Sequence, residues 1–397
     1  MKETEAMFEE IKSSPTDTLI TSYSGHIFDI IDKEGNVIGK GRVDIEDVSG
    51  SWNSTTAGWP KRSSFGAVVF DNKMWVLGGY DGSYYNDVWS SSDGASWNSA
   101  TAGWSERRGF GVVVFDNKIW VLGGYDGSDH LNDVWYSSDG AGWIKVLDND
   151  PSDTDRWSPR ANFGVVVFDN KMWVMGGYDG SYLNDVWCSC DGKNWSQVTT
   201  PSPFSARSNH ASLVFDNKMW VLGGFNGSNY LNDVWYSSDG TNWNSATAGW
   251  PARSSFGVVV FDNKMWVMGG YDGSDYLDDV WYSSDGTNWN STTAGWSKRC
   301  SFGVVVFDNK MWVMGGYDGS YLNDVWYSSG YRRLFKIKIT CSWQEREGRV
   351  IGEDKNLNGQ LDTGEDTNGN GELDSPLQIV SYIANKEFPQ RIFMIEK

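Results

Sequence analysis

At 397 residues the chain is too long for one small core and points to two or three domains. Its net charge of −19, with no Lys/Arg-dense segment, makes nucleic acid a poor partner. No stretch approaches the roughly 20 apolar residues of a membrane span, so this chain carries no predicted span of its own. Gly, Trp, Tyr, Ser, Asp and Asn are abundant and sustained helical periodicity is missing, which favours an all-β class with many tight turns.

In chain order, the first element is a short helix end over 3–12, where Met7, Phe8 and Ile11 share one face. The opening MKETEAMFEEIKSS is too polar for a signal peptide, so the chain is either cytosolic or follows an upstream targeting segment and hydrophobic helix. GHIFDIIDKEGNVIGKGRVDIEDV then reads as two strands around a KEGN turn. From residue 50 to 329 a unit recurs six times, clearest as RSSFGVVVFDNKMWVMGGYDGSDYLDDVWYSSDGTNW at 253–289. Its Gly-Gly pairs begin at 78, 123, 176, 223, 269 and 315, a spacing of 45 to 53 residues.

Each unit parses into four short strands. FGVVVF is a continuous apolar run, expected to be buried on both faces, and Asp-Asn-Lys reverses it into MWVMGG. The YDGS loop leads to VWYSS, and Asp-Gly turns the chain into the last strand around TNWNS. A sheet of this size cannot bury both faces alone; packing against copies of itself around an axis does so.

The units resemble kelch repeats, on the Gly-Gly pair after the second strand, the flanking aromatics (Trp266 and Tyr271) and the closing Trp289. The resemblance implies a six-bladed β-propeller over residues 50–329. The sixth copy stops at WYSSGYRRL, before its Asp-Gly turn, and GSWNSTTAGW at 50–59 matches the missing piece. The N-terminal strand is therefore expected to complete blade six and close the ring, leaving no open sheet edge.

Each innermost strand follows an aromatic-x-x-Arg element: Trp59/Arg62, Trp104/Arg107, Trp157/Arg160, Phe204/Arg207, Trp250/Arg253 and Trp296/Arg299. These lie at the same end as the YDGS loops and form one candidate ligand face, suited to sugar rings, carboxylates or a peptide. The alternative is that each Arg pairs with the Asp of Asn-Asp-Val and each Trp packs between blades, because a role repeated six times is more often structural. Positions that vary between blades are the candidates for specificity: Tyr84, Tyr85, Asp129, His130, Tyr182, Asn226, Asn229, Tyr230, Asp275, Tyr276 and Tyr321. The long acidic connection IKVLDNDPSDTDRW before blade three is expected to lean over the channel mouth. In kelch propellers this face is the usual partner-binding face, as the resemblance implies.

The strongest metal motif is EDKNLNGQLDTGEDTNGNGELD. Counted from Asp354, oxygen donors fall at Asn356, Asn358, the Gln360 carbonyl, Asp362 and Glu365, the pattern of an EF-hand calcium loop. An overlapping second loop offers Asp366, Asn368, Asn370, Glu372 and Asp374, with Leu377 at its twelfth position. The flanks read as strands, closer to the calcium loops of dockerin-like and thrombospondin-like extracellular modules. The terminal pieces 1–49 and 330–397 read as one split domain holding the inserted propeller. FKIKITCSWQEREGR and IVSYIAN resemble the globular part of type IV pilin-like proteins.

Cys188, Cys190, Cys300 and Cys341 form neither a disulfide framework nor a zinc spacing. His26, His130 and His210 are too few for the copper propeller oxidases that also use kelch units. The SSDGTNW turns fall one residue short of the sialidase Asp-box. The sequence thus points to a non-enzymatic, extracellular or surface binding and adhesion protein with a protein or glycan ligand and calcium as its cofactor. The alternatives are an intracellular kelch scaffold and, third, a carbohydrate-active enzyme.

Overall fold

A computed structural model describes residues 26–31, 37–47, 52–199, 202–328, 335–343 and 379–380. The chain divides into two compact units, Gly50–Ser329 and the pair Met1–Ser49 with Gly330–Lys397. Among the described residues there is no helix, and so none long and apolar enough to cross a membrane.

The larger unit is a six-bladed β-propeller. Blade 1 consists of Gly66–Phe70, Lys73–Tyr80, Tyr84–Ser91 and Asn98–Thr101, ordered from the axis outward. Blades 2 to 5 repeat that order, and their innermost strands are Gly111–Phe115, Gly164–Phe168, Ala211–Phe215 and Gly257–Phe261. Blade 6 takes Gly303–Phe307, Lys310–Tyr317 and Tyr321–Ser328 from its own repeat and Trp52–Thr56 from the start of the ring. Ser54 stands opposite Trp326 and Trp52 opposite Ser328 in this antiparallel seam. Every innermost strand touches the next, and the last touches the first, so the ring is closed.

Local chemistry explains the regularity. In each Asp-Asn reversal both residues adopt left-handed backbone, as at Asp71 (φ 47) and Asn72 (φ 54), the geometry of a two-residue hairpin turn matched to strand twist. The second glycine of each Gly-Gly pair sits at a bulge where blade strand and lead-in loop meet. A β-carbon on Gly270 (φ 106) would come within 2.8 Å of Phe256 Cβ and of the Ser254 carbonyl oxygen. Only glycine fits there.

The Ser-Asp-Gly turn between third and fourth strands is internally bonded. Ser237 Oγ accepts from the Gly240 N–H at 2.8 Å, and Asp239 Oδ1 accepts from Thr241 and Asn242 N–H at 2.8 and 2.7 Å. The glycine of this turn then lies flat on the Trp of the preceding blade. A β-carbon at Gly240 would reach Trp173 at 2.2 Å.

Apolar side chains fill the gaps between blades. Between blades 4 and 5, for example, Leu213, Phe215 and Trp220 meet Trp250, Met265 and Val267. The innermost strands depart from the expectation of burial on both faces. In Gly257–Phe261 buried residues alternate with partly exposed ones, and Val260 is 37% exposed. Every second side chain there is only partly buried although it packs against the blade before, as Val258 does on the Leu213, Phe215 and Trp220 cluster.

In the second unit, His26–Ile31, Val37–Asp47, Phe335–Trp343 and Ile379–Val380 form one antiparallel four-stranded sheet in that order. The strands read around the KEGN turn and in the two tail segments are therefore present. The helix read over 3–12 and both calcium loops, Asp354 to Asp374, lie outside the described residues.

The seam makes a specific demand on Trp52, whose ring packs edge-on against Trp296 at 6.2 Å between centroids. Because Trp52 is half-buried, Trp52→Ala should cost about 2 kcal/mol, somewhat less than a fully buried aromatic deletion, as read from urea unfolding.

Candidate functional site

The aromatic-x-x-Arg elements are interior. All six arginines are at most 1% exposed, and Trp59, Trp104, Trp157, Phe204, Trp250 and Trp296 are buried with them. Each guanidinium forks onto one carboxylate. Arg253 Nη1 donates to Asp279 Oδ1, and Nη2 donates to Asp279 Oδ2 at 2.7 Å. Arg253 Nη1 also donates to the Gly269 carbonyl at 2.9 Å, and Nε to the Pro251 carbonyl at 3.0 Å.

The same pairing joins Arg62 to Asp87, Arg107 to Asp133, Arg160 to Asp185, Arg207 to Asp233 and Arg299 to Asp324. Meanwhile the backbone of each arginine belongs to the blade before. Arg253 N–H donates to the Leu231 carbonyl, and its own carbonyl accepts from Gly224, both at 2.9 Å. The lead-in aromatics meet the closing Trp rings edge-on, as Trp250 and Trp289 do at 6.0 Å and 89°. These twelve side chains are interblade fasteners and present nothing to a ligand, which corrects the reading of them as a face.

The variable positions behave differently. Tyr84, His130, Tyr182, Tyr230, Tyr276 and Tyr321 each open a third strand, and Tyr80, Tyr125, Tyr178, Phe225, Tyr271 and Tyr317 each end a second strand. Antiparallel pairing places both sets at one end of the propeller. There they alternate in a closed circle of twelve half-buried rings. Tyr80 meets Tyr84 at 4.8 Å, Tyr84 meets Tyr125 at 6.0 Å, and Tyr125 meets His130 at 5.2 Å. The contacts continue at 4.8–5.8 Å around the remaining blades until Tyr321 returns to Tyr80.

Just inside this circle a second ring is made of backbone. Ser64, Gly109, Asn162, Asn209, Ser255 and Ser301 all adopt left-handed φ of 52 to 60. Each donates its N–H to the carbonyl of the preceding member, and Ser64 donates to Ser301, at 2.7–2.9 Å. Sequence reasoning missed this hexagon. Its signal is one Gly, two Asn and three Ser at a fixed offset after the arginine, of which the Gly and the Asn pair favour that conformation.

The residue between arginine and hexagon is Ser63, Arg108, Ala161, Ser208, Ser254 or Cys300. Each exchanges two backbone hydrogen bonds with the aromatic that ends the second strand of its own blade. In blade 2 that residue is Arg108, whose guanidinium carbon lies 4.6 Å from the Tyr80 ring centre, 5.6 Å from Tyr84 and 5.8 Å from Tyr125. Beside it opens a cavity of about 380 Å³ lined by Arg108, Tyr125, His130, Ala161, Asn162 and Tyr178. Burial lowers the His130 pKa, against the opposing pull of Asp179 and Asp129, so its imidazole is neutral at pH 7. Burial raises the phenols of Tyr84, Tyr230, Tyr276 and Tyr321, which stay protonated.

Carboxylates rim the circle. Asp81, Asp126, Asp179, Asp272 and Asp318 follow the second-strand aromatics, with Asn226 in blade 4 and Asn229 beside it. Backbone N–H groups of Asp275 and Ser274 hold the Asp272 carboxyl below its usual range. Asp129 and Asp275 extend the exposed edge.

Tyr85 belongs elsewhere: it stacks on the buried Arg62 at 4.5 Å, and burial and Asp81 raise its phenol to about 12. The acidic connection before blade 3 is fastened to the third strand of blade 2. Asn132 and Asp150 exchange two 2.9 Å bonds, and Arg156 donates to the Asn132 carbonyl at 3.1 Å. His210 takes the place of a phenylalanine, is buried, and is driven by burial to a pKa of about 3. Among the described residues no group of three His, Cys, Asp or Glu is close enough to hold a metal ion.

Six four-stranded blades, a Gly-Gly bulge and an Arg–Asp staple in each define a kelch-type propeller. The chain belongs to the KLHDC2/KLHL20/DRC7 Kelch-repeats domain family, which it matches over residues 44–201, 148–249 and 190–331. It is also similar to the leucine-zipper-like transcriptional regulator 1 homolog of Drosophila melanogaster, 49% identical over 43 residues. That segment is 10% of this chain and 4% of the fly protein, about the length of one repeat. Kelch propellers are typically protein-binding scaffolds and generally non-enzymatic.

The Arg207–Asp233 staple carries an acid-sensitive part of the stability. In Asp233 burial pushes the pKa up, but hydrogen bonding and charge from Arg207 outweigh it, and the net value lies below the ordinary 3.8. Its contribution is present above 3.8 and is lost as pH falls through the lowered folded value. Asp233→Asn should therefore cost about 2 kcal/mol at neutral pH, a figure discounted from a fully buried pair because the carboxylate is partly solvated. Denaturant unfolding at descending pH should show the gap to wild type closing below the carboxylate range.

Proposed function

We propose that the chain is a non-enzymatic binding protein whose ligand face is the aromatic circle. The observation that carries this is the twelve-membered circle of half-buried rings around the channel mouth. Aromatic side chains supply large, stiff contact surface at low entropic cost, and a concentric set of them is suited to an extended segment of a partner protein. The cavity at Arg108 and His130 gives the circle one distinguishable sector, which fixes the orientation of what lies across it.

A protein ligand is favoured over a glycan because the rings contact each other edge-on or tilted around the circle and so offer edges as well as faces. The interiors of the Ser-Asp-Gly turns are consumed by their own hydrogen bonds, which supports a structural use of that Asp-box-like element.

A peptide library displayed against the whole chain tests this. Enriched binders should weaken at least about tenfold on Tyr182→Ala/Tyr276→Ala and stay unchanged on Asp169→Ala, in the turns of the opposite end. Binders indifferent to the tyrosine changes would overturn the choice of face.

We further propose that the smaller unit is a calcium-stabilised, pilin-like base and that the protein works outside the cell or on its surface. The support is the oxygen-donor spacing from Asp354 to Glu365, which suits a hard cation at the affinities of extracellular modules. A thermal melt with calcium and with chelator should differ in its transition for this unit; identical melts would count against a bound ion.

A further inference from the structure

Arg108 is the one cation among six equivalent positions, and it shows what the circle does with a guanidinium. The group settles over three rings: the two aromatics of one blade and the first aromatic of the next. The other five positions hold Ala161, Ser208, Ser254, Cys300 or Ser63, side chains too short to cover the equivalent rings. Among the described residues no second cation lies over the circle. The corresponding triads on the half away from Arg108 are Tyr178/Tyr182/Phe225, Phe225/Tyr230/Tyr271 and Tyr271/Tyr276/Tyr317, with ring separations within 1 Å of those around Arg108.

Charge points the same way. Asp179, Asp272 and Asp318 border these triads, Asp275 beside them is paired with Lys298 at 3.6 Å, and the chain as a whole carries −19. A basic partner is drawn to such a face and an acidic one repelled. Guanidinium is also the less strongly hydrated cation and stacks on aromatic faces, so arginine is the better fit than lysine.

We propose that the protein partner of this face is an arginine-bearing basic segment, whose guanidinium groups occupy the triads over Ser208, Ser254 and Cys300 as Arg108 occupies its own. This rests on the reading of the circle as a protein-binding face. The Arg108 side then serves as a repulsive boundary that sets where the basic segment stops.

The test uses the full chain and fluorescence anisotropy with short labelled peptides on one Gly/Ser scaffold, carrying several Arg, Lys, Gln or Glu. The Arg peptide should bind at least about tenfold tighter than the Gln peptide and several-fold tighter than the Lys peptide, and weaken as salt rises. Ser208→Arg with Ser254→Arg places intramolecular guanidinium groups over two triads and should weaken the Arg peptide about tenfold. Arg108→Ser removes the repulsive boundary and should raise its affinity. If the double variant fails to fold, Ser208→Arg alone gives the same readout at one triad.

Preference for the Glu peptide, abolished by Arg108→Ser, would overturn the proposal while leaving the protein-binding face intact. Equal binding of all four peptides would also overturn it. Loss of every ring-dependent binder, library-selected ones included, would remove the underlying reading as well.

Discussion

The propeller depends on an arginine that belongs to two blades at once. Its backbone is bonded into the preceding sheet, and its side chain closes on a carboxylate and a glycine carbonyl of the following one. Six such residues are inside the protein, where an unpaired charge would be intolerable. The Asp-Val-Trp that receives the fork is equally constrained: the Trp281 indole N–H donates to the same Asp279 carboxylate at 2.7 Å. Charge, hydrogen bonding and aromatic packing thus meet at each interblade joint. That is why these residues recur without change while their surroundings vary.

Beyond the joints, near-identity of the repeats makes the exceptions informative. Arg108 breaks a row of small residues, His130 breaks a row of tyrosines, and the two lie in the walls of one cavity. Phe225 and Asn226 remove a hydroxyl and a charge from blade 4. Six-fold sequence therefore yields a face that is not six-fold, with one cationic sector and a broader acidic and aromatic remainder.

Much of the architecture is legible in the residues themselves. Blade number, strand order and the recruitment of Trp52–Thr56 follow from counting repeats, because each strand type has its own residue signature. The aromatic-x-x-Arg elements were the ambiguous case. Trp and Arg suit a binding surface and a buried joint equally well, and only three-dimensional position tells them apart. The continuity of the aromatic circle was hidden because its members alternate between two positions four to five residues apart, and each meets a ring from the next repeat. The hexagon was hidden more deeply, since it is written in backbone angles and not in side-chain chemistry. In the second unit the strands were readable from alternation, whereas the helix and the Asp354–Asp374 loops fall outside the described residues.

The hexagon carries a consequence for how such a gene can change. Repeats this alike invite misaligned recombination, which would add or drop one whole module. The borrowed strand at the seam would survive such an event untouched, since it and the strand it pairs with lie at the two ends of the array. The inner circuit of peptide groups would have to re-form with a different number of members, because each of its six N–H groups donates to the carbonyl of the member before it. A change in module number is thus felt first at the axis, where this circuit has to close on itself.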